Sequence, residues 1–332
     1  MLRAVLLSVA FGLAGLGLVL WWLGEDLSSA LRVPLWAYGV GVLLAVLNYL
    51  AGSARLMILS KVDGEALPFV KALRGYSLGL FSAAITPGSA GQAPAMVVSL
   101  VAENVSAKRA WSMAVRVWIA DLIFLALTVP LSVLLLARST GIMRGYYPGL
   151  VAALVFVASA TVVWILIFRM RWIGAAVDLI MRLPFVRRWR ESSVRFVGRI
   201  EQAGKSLWRA PALAQVLVHL YTAFIYLSTF FTFYVVVASL RSGVPVLTTM
   251  AAAQVPMVAA SFFPTPGGAG LLELVAASLV RGENTAAAIL AWRLLTYYLR
   301  MLVGPVIGAP VLTSVRGLFS GGARRAEAAD ET

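Results

Sequence analysis

Long apolar runs, separated by short polar turns, dominate the sequence. Several of these runs contain about 18 or more largely apolar residues, enough for a helix to cross the roughly 30 Å hydrocarbon layer of a bilayer. The pattern therefore predicts an all-α integral membrane protein. Six transmembrane helices are predicted, at residues 3–23, 34–56, 111–137, 148–168, 211–240 and 285–313.

Two other apolar segments, 67–102 and 244–281, are interrupted midway by proline and glycine. These residues break helical hydrogen bonding and release backbone groups that hydrocarbon cannot satisfy. Each segment is therefore predicted to be a re-entrant helical hairpin, which enters the membrane and returns to the same side.

The two interruptions carry copies of one motif. The hexapeptides TPGSAG at 86–91 and TPGGAG at 265–270 match at five of six positions, and SLV and then EN follow both copies. Three predicted crossings separate the copies, so the copies face opposite sides of the membrane. The sequence thus predicts an inverted repeat in which the tips of the two hairpins meet near the membrane midplane.

A short helix is predicted to follow each loop, beginning near Pro94 in the first copy and near Leu271 in the second. A helix N-terminus carries roughly half a positive charge and several unpaired N–H groups, which favour phosphate or carboxylate. Alternatively, proline and glycine only form tight bends packed against neighbouring helices. The candidate substrate-path residues of the loops are Thr86, Pro87, Gly88, Gly91, Thr265, Pro266, Gly267, Gly268 and Gly270.

Ionisable side chains inside predicted membrane segments need a partner or a function, because each costs roughly 2.5 to 3.5 kcal/mol on insertion scales. The candidates are Arg116, Asp121, Glu273, Arg293 and Arg300. Arg293, Tyr297 and Arg300 are spaced i, i+4 and i+7 on one helical face, and this cationic stripe is suited to phosphate. Asp121 lies about 140° around the helix from Arg116, so its partner is expected on another element.

Each of these residues also has a simpler interpretation. Arg116 and Arg293 are equivalent in the repeat, and they either contact an anion or belong to buried ion pairs. Arg300 either serves the same site or extends towards the membrane interface. Glu273 either offsets the helix dipole and pairs with Arg293, or acts as a protonatable gate that couples transport to protons.

The polar residues are strongly basic and unevenly distributed. The net charge is +14, and residues 169–210 contribute +7 of it through ten Lys or Arg against three acids. The positive-inside rule makes this segment cytoplasmic, and six crossings then place both termini on the same side. Its apolar positions recur at a helical period, which predicts an amphipathic helix lying on anionic headgroups. Arg55 is expected to end the second crossing at the cytoplasmic interface.

These features predict one membrane domain, residues 1–332, in the cell inner (plasma) membrane. In a chain that is 61% hydrophobic, the expected partner of the basic surface is anionic lipid, not nucleic acid. The domain is predicted to divide into an N-terminal portion (1–168), the basic segment (169–210), a second membrane portion (211–316) and a cytoplasmic tail (317–332).

Catalytic chemistry finds little support in the composition. The chain has no cysteine and a single histidine, His219, which excludes disulfides, thiolate metal sites and multi-histidine metal motifs. No combination of acid, base and nucleophile is evident. We therefore predict no cofactor, no metal and no enzymatic activity.

Two regions resemble the signatures of the lysylphosphatidylglycerol synthetase transmembrane, or flippase-like, family. The run FPTPGGAGLLE at 263–273, followed by Arg293 and Gly304, resembles the second signature. The runs YSLGLF and TPGSAG within 76–91, with Asp121, resemble the first. The resemblance spans most of the chain and implies a lipid translocase. In multiple peptide resistance factor proteins, such a domain flips an aminoacylated phospholipid that a fused synthase makes.

The predicted function is movement of a polar lipid headgroup between leaflets, through a midplane site formed by the two opposed loops. The lipid is a phospholipid or an aminoacylated, glycosylated or polyprenyl-linked lipid. The longest polar stretch, 169–210, has only 42 residues, so this chain is not expected to synthesise the lipid. A separate lipid-synthesising enzyme and a second copy of the chain are the candidate protein partners. The alternatives are a secondary transporter of a small organic or inorganic anion, and a membrane-embedded lipid-modifying enzyme or assembly factor.

Overall fold

A computed structural model describes residues 27–139, 147–168, 210–263, 265–280 and 282–313, together with a few isolated positions. The predicted crossing at 3–23 lies outside the described residues except at isolated positions. The same is true of the basic segment 169–210, and the predicted tail 317–332 lies outside entirely.

Helices account for the regular structure of the described ranges, as predicted. A 3₁₀ helix, Leu27–Arg32, precedes them. The helices in chain order are α1 (Leu35–Val62), α2 (Phe69–Ile85), α3 (Gln92–Ala102), α4 (Ala107–Ser139), α5 (Tyr147–Phe168), α6 (Ala212–Leu240), α7 (Val246–Ala260), α8 (Leu271–Leu279) and α9 (Thr285–Thr313). Within α9, residues Leu294–Tyr298 form a π-helical turn.

Four of the helices are long and apolar enough to cross a membrane. α1, α4, α6 and α9 contain 28, 33, 29 and 29 residues. At 1.5 Å per residue, even the shortest exceeds the roughly 30 Å hydrocarbon layer. They coincide with four of the predicted crossings, and the 22-residue α5 covers a fifth. The protein is therefore a multi-pass, all-α membrane protein.

The two interrupted segments form helix–loop–helix units. In the first unit, α2 and α3 contain 17 and 11 residues and are joined by the first loop, Thr86–Gly91. In the second unit, α7 and α8 contain 15 and 9 residues, and the second loop, Thr265–Gly270, precedes α8. All four helices are shorter than the roughly 20 residues that a membrane crossing needs. The interruptions thus fall where proline and glycine predict them.

The internal repeat extends well beyond the two hexapeptides. Helices α1 to α4 begin at residues 35, 69, 92 and 107, and helices α6 to α9 begin at residues 212, 246, 271 and 285. Each start in the second series therefore lies 177 to 179 residues after its counterpart in the first. The order of a long helix, a hairpin of two short helices and another long helix occurs twice.

A basic side chain links the two ends of each helix–loop–helix unit by a hydrogen bond. Lys71 Nζ donates a hydrogen bond to the carbonyl oxygen of Glu103 at 2.7 Å, and Arg241 Nε donates to that of Glu283 at 2.6 Å. The asparagine after each of these glutamates adopts a left-handed conformation, with φ of 66° in the first copy and 58° in the second. The repeated EN dipeptide therefore encodes the same turn in both halves.

Close helix packing brings the two signature regions together. A Cβ atom on Gly304 of α9 would lie 2.4 Å from Cβ of Phe81 and 3.0 Å from the carbonyl oxygen of Ser77. No side chain larger than hydrogen fits this approach, because the packing of protein interiors leaves no such gaps. The contact joins the α2 segment of the first signature to the glycine of the second, and it places the first loop beside α9.

Candidate functional site

The two loops share one turn at their third and fourth residues, but they differ at the sixth, where Gly91 has a φ of −75° and Gly270 a φ of 89°. Gly88 and Gly267 have φ of 56° and 58°, and the next residues, Ser89 and Gly268, have φ of 58° and 67°. In both loops the fourth N–H donates to the first carbonyl, at 3.3 and 3.1 Å, and the fifth N–H donates to the second, at 3.1 and 3.2 Å. The repeated hexapeptide therefore specifies a repeated turn.

The two loops also touch each other. Pro87 and Pro266 pair as an isolated antiparallel β-bridge. A Cβ on Gly88 would lie 2.7 Å from the carbonyl oxygen of Ser261, the residue after α7. Glycine is thus needed here both for its positive φ and for the close approach. The two loops are therefore in contact, and their predicted position near the membrane midplane stays a prediction.

The second loop packs tightly against its neighbours. A Cβ on Gly267 would lie 2.1 Å from Cε2 of Tyr297 in α9, and a Cβ on Gly268 would lie 2.3 Å from Cβ of Ala260 in α7. These contacts correspond to the simpler interpretation of the glycines as tightly packed bends. They also bring the loop backbone against the face of α9 that carries the predicted cationic stripe.

Threonine side chains hold the shape of both loops. In the first loop, the N–H of Gly91 donates to Oγ1 of Thr86 at 2.9 Å, while Thr86 Oγ1 itself donates to the carbonyl oxygen of Ser82 at 2.7 Å. In the second loop, Thr265 Oγ1 donates to the carbonyl oxygen of Ala269 at 3.0 Å. The two threonines therefore act on the backbone of their own loops.

Glu273 is the acid of the second loop's helix, and it is 1% exposed. Its Oε2 accepts a hydrogen bond from the N–H of Gly270 at 2.8 Å, and its Oε1 lies 2.7 Å from Nε of Arg293. The carboxylate therefore satisfies the positive N-terminus of α8 and neutralises one arginine. Both contacts required by the simpler interpretation of Glu273 are present.

One of the three guanidinium nitrogens of Arg293 has no hydrogen-bond partner among the described residues. Its Nε is paired with Glu273, its Nη1 donates to the carbonyl oxygen of Gly267 at 3.2 Å, and its Cζ lies 4.1 Å from the ring centre of Tyr297. The remaining Nη2 is buried and has no hydrogen-bond partner among the described residues. The neighbouring Trp292 is 1% exposed, and its Nε1 is a second buried donor without a described partner.

An open cavity with about 110 Å³ of water-accessible space lies where the loops and α9 meet. Trp292 and Arg293 both line it, and each of these side chains carries one of the two unsatisfied donors. The π-helical turn of α9 contributes Thr296 and Tyr297 to this wall. Such turns are rare in proteins, and those that occur are often found at functional sites. The predicted site residues around the cavity are Gly88, Gly267 and Gly268 from the loops and Arg293, Tyr297 and Arg300 from α9.

Two other predicted site residues lie elsewhere, in buried ion pairs. Arg116 is 2% exposed; its Nη2 lies 2.5 Å from Oδ1 of Asp63 just after α1, and its Nη1 donates to the carbonyl oxygen of Leu59 at 3.3 Å. Asp121 pairs with Arg55 of α1 at 2.5 Å. The expectation that Asp121 has its partner on another element is confirmed. Neither Arg116 nor Asp121 belongs to the cavity wall.

Arg55 occupies a different place from the one its sequence position suggests. Its side chain is 1% exposed, and its Nη1 donates to Asp121 Oδ1 and to Thr222 Oγ1 of α6 at 2.8 Å. The expectation that it ends the crossing at an interface is wrong, because α1 continues to Val62 and leaves Arg55 inside the bundle. Arg55 therefore joins α1, α4 and α6.

Sequence reasoning also missed residues of the cavity wall. Thr296 lines it three residues after Arg293, a spacing that would have placed it on the same helical face. Ser89 lines it from the one position at which the two hexapeptides differ, and Ser261 lines it from the end of α7. No motif marks Ser261, since it precedes the repeated hexapeptide and its position depends on the contact between the two loops.

Comparison with known proteins agrees with these features. A UPF0104 membrane protein from Archaeoglobus fulgidus is 23% identical to this chain over 282 residues, which is 80% of this chain and 84% of that protein. Residues 5–304 match the family described as the lysylphosphatidylglycerol synthase TM region. This match includes both loops, the cavity and the arginines of α9. The chain therefore belongs to the lysylphosphatidylglycerol synthase TM region family, in keeping with a lipid-related function in the membrane.

Proposed function

We propose that this protein is a lipid translocase, which moves a polar headgroup between leaflets through the cavity at the loop contact while the lipid tails remain in the bilayer. The observation that carries the proposal is a pair of buried donors, Arg293 Nη2 and Trp292 Nε1, which have no hydrogen-bond partner among the described residues and belong to side chains that line that cavity. A buried donor without an acceptor is costly, so a ligand that supplies acceptors is favoured there. Phosphate oxygens are the acceptors that suit a guanidinium group best.

The proposal includes a membrane arrangement of six crossings and two re-entrant hairpins in an inverted repeat. Short helices in both hairpins and the matched register of the two halves support it. Non-helical backbone at membrane depth is tolerated where it is buried in protein or lines a cavity, and both loops meet that condition. The protein then lies in the inner (plasma) membrane with both termini cytoplasmic, and a separate lipid-synthesising enzyme supplies its substrate.

An apolar edge beside the cavity favours a lipid over a soluble anion. Ser261 lines the cavity, and the next two residues, Phe262 and Phe263, are 87% and 42% exposed. Exposed aromatic side chains are stable in a protein surface that contacts lipid. A lipid whose tail rests against this edge needs to move only its headgroup into the polar cavity, which limits the cost of desolvation.

Leaflet exchange in proteoliposomes tests the proposal. The variants are Arg293→Gln and the double substitution Glu273→Gln with Arg293→Gln, which leaves no unpaired charge buried. Both are expected to slow the exchange of a tail-labelled anionic phospholipid by about tenfold or more, since a hydrogen bond to a charged group contributes roughly 1.5 to 3 kcal/mol. The matched control is Arg138→Gln, which removes an exposed arginine at the end of α4. A folded double variant that exchanges lipid at the wild-type rate would show that this cavity is not the route.

Cysteine labelling tests the opposed hairpins separately. The chain has no native cysteine, so single substitutions give unambiguous labelling. Ser106 lies at the base of the first hairpin and Ser242 at the base of the second, and both residues are exposed. In the proposed topology, an impermeant thiol reagent labels Ser106→Cys only from the cytoplasmic side and Ser242→Cys only from the opposite side. Labelling of both from one side excludes the inverted arrangement.

A further inference from the structure

Arg300 lies in the middle of α9, far from both ends of the helix. The helix begins at Thr285 and ends at Thr313, so at 1.5 Å per residue roughly 20 Å of helix separates Arg300 from either end. In a helix that crosses the membrane, this position disfavours the interpretation that the side chain extends to an interface. Arg300 therefore needs a partner inside the protein or a ligand.

No carboxylate of the described residues forms an ion pair with Arg300. Three other arginines within the long helices each pair with an acid: Arg55 with Asp121, Arg116 with Asp63 and Arg293 with Glu273. Arg300 instead makes one long hydrogen bond, with 3.4 Å between its Nη2 and Oγ1 of Thr229, a neutral side chain. A charge without a counter-charge is costly inside a membrane protein, so an anion that neutralises Arg300 is favoured.

The space beside Arg300 is large enough for such an anion. Arg300 is partly buried and lines the cavity at the loops, which has about 110 Å³ of water-accessible space. One water needs roughly 10 to 15 Å³ by this measure, so the cavity has room for several waters or for a phosphate group. Arg300 also lines a second cavity, between α1, α6 and α9, but the 20 Å³ available there suit a single water. An anion at Arg300 is therefore expected in the cavity at the loops.

The two arginines that line this cavity differ in net charge. Nε of Arg293 is paired with Glu273 at 2.7 Å, so this pair is neutral and offers a phosphate oxygen hydrogen bonds without a net charge. Among the described residues that line the cavity, no carboxylate accompanies Arg300. The electrostatic attraction for an anion therefore comes mainly from Arg300, while Arg293 and Trp292 contribute hydrogen-bond donors.

We infer that Arg300 is an anion-binding residue, which holds a phosphate group in the cavity at the loops. The guanidinium group balances the charge of the phosphate and donates hydrogen bonds to its oxygens, a pairing for which its planar geometry is suited. The phosphate belongs either to a lipid headgroup or to free inorganic phosphate. Its assignment to a headgroup rests on the proposed function, whereas the anion site itself is tested without transport.

Thermal unfolding in a phospholipid-free detergent tests the site, with inorganic phosphate as the probe. Phosphate at about tenfold its dissociation constant, compared with chloride at equal ionic strength, is expected to raise the wild-type unfolding temperature by about 2 to 4 °C. Arg300→Gln is expected to lose most of this rise, and Arg300→Lys, which keeps the charge, to retain part of it. Arg138→Gln, on an exposed arginine at the end of α4, is the matched control and keeps the full rise.

The same experiment in chloride alone separates a binding role from a structural one. Arg300→Gln removes a charge that has no counter-charge, so it is expected to unfold at or above the wild-type temperature. A large loss of stability in this variant shows that Arg300 holds the fold together, and it overturns the inference. An equal phosphate-dependent rise in wild type and Arg300→Gln also overturns it, because the phosphate then binds elsewhere.

Lipid exchange in proteoliposomes distinguishes a headgroup from free phosphate. Inorganic phosphate on both sides of the membrane competes with a headgroup for Arg300. At its dissociation constant it is therefore expected to slow the exchange of a tail-labelled anionic phospholipid about twofold in wild type, and not to slow the residual exchange of Arg300→Gln. Exchange that is unaffected when phosphate saturates the unfolding shift overturns the headgroup assignment and supports a site for free phosphate. If wild type exchanges no lipid, the translocase and the headgroup assignment both fail, and the unfolding experiment still decides the anion site.

Discussion

The first and second loops share the same turn, but their chemical surroundings differ and so does the φ of their last glycine, −75° at Gly91 and 89° at Gly270. In the first loop, residues 87–90 are all exposed, whereas Gly268 and Ala269 of the second loop are buried. The second loop is followed by an acid that pairs with an arginine of α9. The first is followed by Pro94 at the equivalent third position of its helix, and proline has no carboxylate to offer.

One arginine from each half, Arg116 and Arg293, shows the same difference in surroundings. Arg116 and Arg293 lie at similar positions in α4 and α9, but Arg116 pairs with Asp63 near the end of α1, while Arg293 pairs with Glu273 beside the loop contact. A duplicated backbone therefore does not require duplicated chemistry. Both halves contribute a loop to the contact, but only the second half contributes Trp292 and Arg293, the two residues at the cavity with an unsatisfied donor.

The largest effect on stability is expected from the first half, at Asp121. Substitution Asp121→Ala leaves Arg55 buried and without its counter-charge, and such a change costs roughly 3 to 5 kcal/mol. Chemical unfolding in detergent measures this loss. The double substitution Arg55→Leu with Asp121→Leu is expected to recover most of the stability, because an apolar pair often replaces a buried ion pair at little cost. A stable Asp121→Ala variant that loses lipid exchange would instead place Asp121 in the transport machinery.

Crowding at the second loop gives the next largest effect. Gly267→Ala combines a left-handed φ of 58° with a Cβ that would lie 2.1 Å from the Tyr297 ring. The expected loss in free energy of unfolding is about 2 to 5 kcal/mol, from left-handed strain of roughly 1 to 2 and overpacking of roughly 1 to 3. Gly243→Ala is the matched control, since its φ is 71° and nothing lies within 4 Å of the added Cβ. It is expected to lose only the strain of about 1 to 2 kcal/mol. Equal losses in the two variants would show that Tyr297 moves aside freely.

Local patterns in the sequence were sufficient to predict the helices and the loop contact. Apolar runs located the four helices that are long and apolar enough to cross a membrane, and the paired hexapeptides located two turns with matching φ values. Both signals are local, because they depend on hydrophobicity and on the conformations that proline and glycine allow. The pair of Glu273 and Arg293 was one of the two alternatives that the sequence left open for Glu273.

The same reasoning could not identify contacts between residues that are far apart in the sequence. Arg55 and Asp121 are 66 residues apart, and their pairing depends on how α1 packs against α4. A second cavity lies between α1, α6 and α9, and the hydroxyl-bearing residues that line it each follow an ordinary helical pattern. A single sequence shows which faces are polar, but it does not show which polar faces meet.

The smallest expected effect comes from exchanging the one residue that differs between the two hexapeptides. Ser89 has a φ of 58°, which serine adopts at a cost, so Ser89→Gly is expected to stabilise the protein by up to about 1 kcal/mol. The gain is limited by the greater freedom of glycine in the unfolded chain. The reciprocal Gly268→Ser is expected to destabilise, since its Cβ would lie 2.3 Å from Cβ of Ala260. Chemical unfolding of both variants in detergent measures the two changes side by side. Opposite signs confirm that the loops share the turn at this position and differ in their surroundings, whereas destabilisation by both would mean that Ser89 makes a contact of its own that glycine cannot replace.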